Sequence, residues 1–226
     1  MKPMRYTLRA LTRLLSYPDE QLRSGFDALL VAIDEEGALS AARRNELRAL
    51  VTSLQRQDPL EVQARYVETF DRGRSTSLYL FEHVHGDSRD RGPAMTDLVQ
   101  TYEKAGLYLD PEELPDHLGV VLEFASTQPP ALAKAFLVEV AHILNVIFSA
   151  LLKRESPYAA VIAAVLELAG QKAQAVAIPV EESLDDSWAE PEAFDGCSTR
   201  GQSRPSEAQP IHIVRQKPIA SQGVAA

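Results

Sequence analysis

Apolar residues recur every three or four positions along most of the chain, a spacing that predicts a series of amphipathic α-helices. The first stripe holds Leu8, Leu11 and Leu15. Tyr17-Pro18 follows it, so we expect a helix end there, with Pro18 at the first position of the next helix. Five further stripes before residue 130 predict five more helices: Leu22, Phe26, Leu29, Leu30 and Ile33; Leu47, Leu50, Val51 and Leu54; Val62, Tyr66 and Phe70; Met95, Leu98, Val99 and Tyr102; Leu118, Val121, Leu122 and Ala125.

Polar residues and glycines mark several ends of these helices. Gly37 breaks the chain, and Ser40 is a suitable N-cap for the helix that follows. Asp58-Pro59 with Glu61 matches a capping box with proline at the first helical position.

The most apolar segment begins at Pro129-Pro130, and its wide apolar face predicts one long central helix reaching Leu151. Ser156-Pro157 then precedes a last helical stripe. No segment alternates with the period of two that strands require. The sequence therefore predicts the all-α class, as a single helical-bundle domain over residues 1–178.

Residues 179–226 differ in composition, with five prolines and only two aromatic residues, Trp188 and Phe194. Residues 173–199 contain seven acidic side chains and no Lys or Arg. This composition predicts a mostly disordered acidic tail, broken by a short apolar island at Ile211-His212-Ile213-Val214. Two interpretations stay open: a solvated tail, or a tether that folds over a basic or apolar groove.

Charge and cysteine content narrow the class of protein. The formal net charge of -9 argues against a general binder of nucleic acid or of anionic membranes. The sole cysteine, Cys197, excludes an internal disulfide and fits a reducing compartment. Neither a signal-peptide core nor an apolar run long enough to span a bilayer is present, so we expect a cytoplasmic protein without direct membrane insertion.

Residues 78–92, LYLFEHVHGDSRDRG, here called the signature segment, combine apolar anchors with a dense group of ionisable side chains. The anchors are Leu78, Tyr79, Leu80 and Phe81, and the ionisable residues are Glu82, His83, His85, Asp87, Arg89, Asp90 and Arg91. Such charges must be paired, solvated or available to a ligand.

Metal binding and catalysis are disfavoured. His83 and His85 are two residues apart and would diverge on a helix, even if His117 supplied a third ligand. The chain has neither a G-x-S-x-G turn nor a glycine-rich phosphate loop, and Cys197 lies in the tail. We therefore expect no enzyme, no metal and no cofactor, with a metal- or nucleotide-dependent enzyme kept as the remote alternative.

Asp116-His117 forms a second polar cluster with two open interpretations. In the structural one, Asp116 lies in the first helical turn behind Pro115, where the helix dipole favours an anion, and His117 is half-buried. In the functional one, the pair lies at the rim of a groove and accepts donors from a peptide. Arg89, Asp90 and Arg91 are either a self-compensating triplet or, as we favour, a brace that pairs with Glu82, Asp87 or Asp116.

The signature segment, followed by ELPDHL and LEF, resembles the nitrate reductase molybdenum cofactor assembly chaperones of the NarJ type, also called the nitrate reductase delta subunit. These are related to the wider TorD-like redox-enzyme maturation proteins. RALTRLLSYPDEQL, YVETFDRG and SWAEPEAF are also similar to the family, so the resemblance covers roughly residues 5 to 200.

This resemblance implies an all-helical cytoplasmic chaperone that binds the apo catalytic (alpha) subunit of respiratory nitrate reductase through an N-terminal segment of that subunit. Binding would keep the subunit competent for molybdenum cofactor insertion and delay its membrane assembly. Cofactor delivery proteins are further candidate partners, and a TorD-like chaperone for a different molybdoenzyme is the alternative.

The same resemblance maps the client-binding site onto the signature segment and the Asp-His pair. The candidate residues are Leu78, Tyr79, Phe81, Glu82, His83, His85, Asp87, Asp116 and His117. A groove lined by such apolar anchors suits an amphipathic peptide, and its acids suit the peptide's cations. The three histidines predict client release that depends on pH between about 6 and 8.

Overall fold

The computed structural model describes residues 2–86, 88–111 and 113–177, and over these ranges the regular structure is helical. The elements are α1 Arg5–Leu14, α2 Glu20–Glu36, α3 Ala41–Arg56, α4 Pro59–Phe70, the short 3-10 helices η1 Arg74–Thr76 and η2 Leu80–Glu82, α5 Arg91–Lys104, α6 Leu118–Thr127, α7 Pro130–Glu139, α8 Ala141–Lys153 and α9 Ala159–Leu168. The all-α class is confirmed for this part of the chain. The predicted disordered tail lies outside the described residues, and the domain boundary at residues 178 and 179 stays a prediction.

Side-chain capping accounts for four of the α-helix starts, those of α2, α3, α4 and α6. Ser40 Oγ accepts a hydrogen bond from Arg43 N, and Asp58 Oδ1 accepts one from Leu60 N, as the sequence predicts. The expectation that Pro18 opens α2 was wrong. Asp19 is the N-cap instead, and its Oδ1 accepts a hydrogen bond of 2.7 Å from Leu22 N. A carboxylate that satisfies a free helical N–H stabilises the start at this position.

Helix α1 occupies the middle of the bundle and packs against α2, α6 and α9. Leu8 and Leu11 are completely buried there, which contributes about 2 kcal/mol for each side chain. Tyr66 of α4 packs against Phe70 and Tyr158, and its hydroxyl donates to the carbonyl of Leu15 at 2.7 Å. This buried hydrogen bond joins α4 to the end of α1.

The predicted central helix is two helices, so the expectation of one continuous helix was wrong. Helices α7 and α8 meet at Val140 with a bend of 65°. The bend lets Phe136 of α7 pack on Phe124 of α6, with ring centroids 4.9 Å apart, while Ile143 and Leu144 of α8 enter the core. Among the described residues no single helix has the length and apolar composition of a membrane span, and the bent α7–α8 pair meets both criteria only when its helices are combined.

The chain after α9 lies along the polar side of α8. Gln174 N donates to Asn145 Oδ1 at 2.9 Å, and Val176 N donates to Ser149 Oγ at 2.8 Å. Because Asn145 and Ser149 are four residues apart, they are neighbours on one helix face. Residues 171–177 therefore run in the same direction as α8, towards Lys153 at its end.

Candidate functional site

The signature segment lies directly beside the turn that precedes α6, residues 113–118, here called the Asp-His turn. Tyr79 and His117 form a single antiparallel bridge. Leu80 N donates to the carbonyl of Asp116 at 3.0 Å, and Leu118 N donates to that of Leu78 at 2.8 Å. The structure thus brings together the two polar clusters that the sequence shows separately.

Asp116 is the buried centre of this junction. Its side chain is completely buried, Oδ2 accepts a hydrogen bond of 3.0 Å from Phe81 N, and Arg91 Nη2 lies 3.8 Å from the same oxygen. Burial raises the pKa of Asp116, while the Phe81 N–H and the Arg91 charge oppose that rise. Oδ1 is also buried and has no hydrogen-bond partner among the described residues.

Two expectations for Asp116 therefore need correction. Helix α6 begins at Leu118 with His117 as its N-cap, so Asp116 lies before the helix rather than in its first turn. A completely buried carboxylate also cannot accept donors from a peptide at the protein surface in this arrangement. Asp116 instead holds the backbone of the signature segment through Phe81 N.

His117 is half-buried and caps α6. Its Nδ1 accepts a hydrogen bond of 3.2 Å from Gly119 N, which leaves Nε2 to carry the proton in the neutral ring. The ring lies edge-on to Tyr79, with centroids 5.1 Å apart. Burial lowers the pKa of His117, against the smaller opposing effects of Glu113 and Asp116.

We expect His117 to make folding sensitive to mild acid. Because its folded pKa is below the ordinary value of 6.5, the unfolded chain binds the proton first as the pH falls. The His117 contribution to stability is thus present above pH 6.5 and lost as the pH drops through the folded pKa. This range concerns folding, and the predicted pH dependence of client release between about 6 and 8 stays a prediction.

Urea denaturation as a function of pH tests this expectation. As the pH is lowered below 6.5, the urea concentration at the unfolding midpoint should decrease less for His117→Asn than for the wild type. The reason is that asparagine caps a helix without titrating. His142→Asn on the exposed side of α8 is the matched control and should keep the wild-type slope. Equal slopes in all three proteins would contradict the assignment to His117.

Glu82 and His83 are held by Ser77, a residue that the sequence analysis did not select. Ser77 Oγ donates to Glu82 Oε2 at 2.5 Å, and His83 Nε2 lies 2.9 Å from the Ser77 carbonyl. Arg91 Nη2 lies 3.7 Å from Glu82 Oε1. Ser77 directly precedes the signature segment, so its position was the available signal.

Phe81 and His85 form the other side of the turn. His85 N donates to the Phe81 carbonyl at 2.8 Å, and the two rings meet edge-on with centroids 5.5 Å apart. Gly86 then adopts φ +50°, a left-handed conformation that favours glycine. Both rings are half-buried, so part of each remains available at the surface.

The remaining candidate residues differ in accessibility. Leu78 is 3% exposed and belongs to the core, whereas Tyr79 is 36% exposed. Val84 of the signature segment and Leu114 of the Asp-His turn are 52% and 44% exposed, and neither was selected from the sequence. We call Tyr79, Phe81, Val84, Leu114 and His117 the signature surface.

Arg91 contacts the site, but its two predicted companions do not reach it. Arg89 and Asp90 are exposed, and the ion pairs within the described ranges include neither of them. Asp90 N instead donates to Ser88 Oγ at 3.2 Å. Asp87 lies outside the described residues, so its predicted role is untested. Over residues 2–86, 88–111 and 113–177, the structure contains no group of three or more metal-ligating side chains.

The family model and the similar proteins identify the same family. The model of the family described as nitrate reductase delta subunit matches residues 36–164. The nitrate reductase molybdenum cofactor assembly chaperone NarJ of Escherichia coli K12 is 41% identical over 188 residues, covering 82% of this chain and 78% of the relative.

Two further relatives have related names. The probable nitrate reductase molybdenum cofactor assembly chaperone NarW of the same strain is 45% identical over 164 residues, covering 72% of this chain and 68% of the relative. The probable chaperone NarJ of Bacillus subtilis is 33% identical over 153 residues, covering 68% of this chain and 82% of the relative. The match to the family model, residues 36–164, includes both the signature segment and the Asp-His turn.

Proposed function

Because the chain belongs to the nitrate reductase delta subunit family, we propose that it is an assembly chaperone that binds the apo alpha subunit of a respiratory nitrate reductase. It recognises an N-terminal segment of that subunit and keeps the subunit competent for molybdenum cofactor insertion. It acts in the cytoplasm, before the enzyme assembles on the membrane. The names of these three relatives describe chaperones rather than enzymes, which supports a binding role.

The bridge between Tyr79 and His117 is the observation that best supports a peptide site on the signature surface. It places Tyr79, Val84 and Leu114, three exposed apolar side chains, on two adjacent segments of the chain. An amphipathic client helix could bury its apolar face against them, as in helix-in-groove recognition.

Charged groups around this surface would set the orientation of the client. Glu82 is partly exposed and lies beside Arg91, so a client cation near Glu82 would compete with that arginine. Asp116 and Leu78 would contribute indirectly, by holding the signature segment in place. His83 and His85 flank the same turn. Affinity should therefore decrease with salt.

We expect Tyr79→Ala to weaken client binding about 5- to 30-fold, because an exposed aromatic anchor at an interface centre contributes about 1–2 kcal/mol. Calorimetric titration with a synthetic peptide from the start of the alpha subunit measures this. Tyr6→Ala, which removes an exposed tyrosine on α1, is the matched control and should bind normally. Wild-type affinity in folded Tyr79→Ala would remove this residue from the site.

Phe81→Ala and Glu82→Ala should also weaken binding, the first with some loss of stability because Phe81 packs against the core. Co-purification with the apo alpha subunit, with and without its N-terminal residues, tests the client itself. Retention of a different molybdoenzyme, but not of the nitrate reductase subunit, would favour a TorD-like chaperone for another client.

A further inference from the structure

Residues 171–177, here called the strap, lie along α8 and are held by two side chains of that helix. Gln174 N donates to Asn145 Oδ1 at 2.9 Å, and Val176 N donates to Ser149 Oγ at 2.8 Å. Within the described part of the chain, residues 172–177 take part in no other hydrogen bond. Ala173 is half-buried, and the other residues of the strap are exposed. Such a segment can open locally while the bundle stays folded.

The two side chains that hold the strap are prepared as acceptors by hydrogen bonds within α8 itself. Asn145 Nδ2 donates to the carbonyl of Ala141 at 3.0 Å, and Ser149 Oγ donates to the carbonyl of Asn145 at 2.6 Å. Because each side chain uses a donor on its own helix, its oxygen remains available to accept. Ile147 and Leu151 of α8 are completely buried, so these acceptors belong to a well-packed part of the bundle.

The spacing of the two acceptors suits an extended polypeptide in general. Four residues of an α-helix rise about 6.0 Å along the axis. Two residues of an extended chain rise about 6.6 Å, so alternate N–H groups meet acceptors one helical turn apart. Since both bonds use backbone N–H groups of the strap, they impose no side-chain sequence beyond the exclusion of proline.

The strap leaves apolar surface uncovered beside these acceptors. Leu152 follows Ser149 by three residues, on the same side of α8, and is 46% exposed. Val176 is 40% exposed. The strap sequence, QKAQAVA, has alanine at three alternate positions, and alanine offers little side-chain area for covering Leu152. A segment with larger apolar side chains would bury more surface while forming the same two hydrogen bonds.

We propose that this side of α8, here called the strap site, binds an extended segment of another polypeptide with apolar side chains at alternate positions. The strap occupies the site as a displaceable substitute. Backbone hydrogen bonds to Asn145 and Ser149 then provide affinity, and burial of Leu152 provides selectivity, as when a peptide adds to the edge of a sheet. The strap site shares no residue with the signature surface, so the proposal goes beyond the proposed function and does not depend on it.

Two double proline variants of the full-length chain separate the strap from its site. Gln174→Pro with Val176→Pro, the open-strap variant, removes both N–H donors. Ala175→Pro with Ala177→Pro is the matched control, because it moves the prolines by one residue and keeps both donors. The side-chain amide resonance of Asn145 in NMR spectra reports occupancy. It should change in the open-strap variant and stay as in the wild type in the control.

The probe is the synthetic peptide QKAQLVL, the strap sequence with leucine at two of its alanine positions. We expect it to shift the Asn145 resonance saturably in the open-strap variant. The apparent Kd should be at least about tenfold higher in the wild type and in the proline control, because there the tethered strap competes at a millimolar effective concentration. The peptide QKAQAVA should bind the open-strap variant at least about threefold more weakly than QKAQLVL.

Removal of one acceptor tests whether the peptide occupies the strap site. In the open-strap variant, Ser149→Ala should weaken binding of QKAQLVL about fivefold, since one peptide N–H loses its acceptor. Thr101→Ala is the matched control. Thr101 Oγ1 likewise donates to a carbonyl four residues earlier, that of Asp97 at 2.9 Å, at an exposed position on α5. This variant should bind the peptide as the open-strap variant does.

Several outcomes would overturn the proposal. One is the absence of a saturable Asn145 shift in the open-strap variant, and another is equal affinity in the open-strap, control and wild-type chains. Unchanged binding after Ser149→Ala would show that the peptide binds elsewhere. A wild-type Asn145 resonance that depends on protein concentration without peptide would identify the strap of a second copy as the occupant, in place of another polypeptide.

Discussion

Asp116→Ala is expected to lower the free energy of unfolding by about 2–4 kcal/mol and to detach the signature segment from the Asp-His turn. Two effects contribute. Phe81 N loses its acceptor at 3.0 Å and becomes an unsatisfied donor at a half-buried position. Arg91 loses the carboxylate 3.8 Å from its Nη2, a smaller effect because Arg91 is partly exposed.

Chemical denaturation measures the stability loss, and hydrogen exchange at Phe81 N and Leu80 N measures the detachment. Asp116→Asn keeps an oxygen that can accept from Phe81 N, so we expect it to retain more of the stability than the alanine variant. Asp90→Ala removes an exposed carboxylate of the same loop and should change stability by less than about 0.5 kcal/mol. Wild-type exchange at Phe81 N in Asp116→Ala would show that the segment does not depend on this carboxylate.

Gly73→Ala is expected to cost about 1–3 kcal/mol because the added methyl group has no space. A Cβ at this position would lie 2.8 Å from the Thr69 carbonyl and 2.8 Å from Arg154 Nη2, and would also meet Thr76 Oγ1. The backbone at Gly73 has φ -101°, so the cost arises from crowding rather than from a left-handed conformation. Gly73 directly precedes η1, the short helix that leads into the signature segment.

Gly92→Ala provides the control for this prediction. Nothing lies within 4 Å of a Cβ at Gly92, and the residue is helical, so alanine should leave the stability unchanged or raise it slightly. Denaturant midpoints with unchanged m-values would compare the two variants directly. A neutral Gly73→Ala would mean that the loop moves freely enough to accommodate the methyl group.

Several local features of the fold were predictable because their causes lie within a few residues. Ser40 and Asp58 satisfy helical N–H groups three or fewer residues away, and Gly37 provides the left-handed residue that ends α2. The break at Val140 was not predictable in this way. No glycine or proline marks it, and it accompanies a tertiary contact, Phe136 packing on Phe124 of another helix.

The candidate site was likewise predictable only in part. Its two clusters, with the aromatic anchors and the charges, were visible in the sequence, as was the likeness to a chaperone family. Ser77 was not selected because its role depends on the turn that brings Glu82 and His83 back to it. Val84 and Leu114 were not selected because the fold decides which apolar side chains stay exposed. Leu78 and Tyr79 are adjacent in sequence, yet one lies in the core and the other at the surface.

The sequence by itself determined the all-α class, the helical stripes and the two polar clusters, because periodicity and capping depend on neighbours along the chain. Only the tertiary structure decided that Tyr79 bridges to His117 and that Asp116 is buried beneath Phe81. Burial and pairing depend on residues that are distant in sequence, and a carboxylate that could equally have faced a peptide instead supports the segment proposed to bind one.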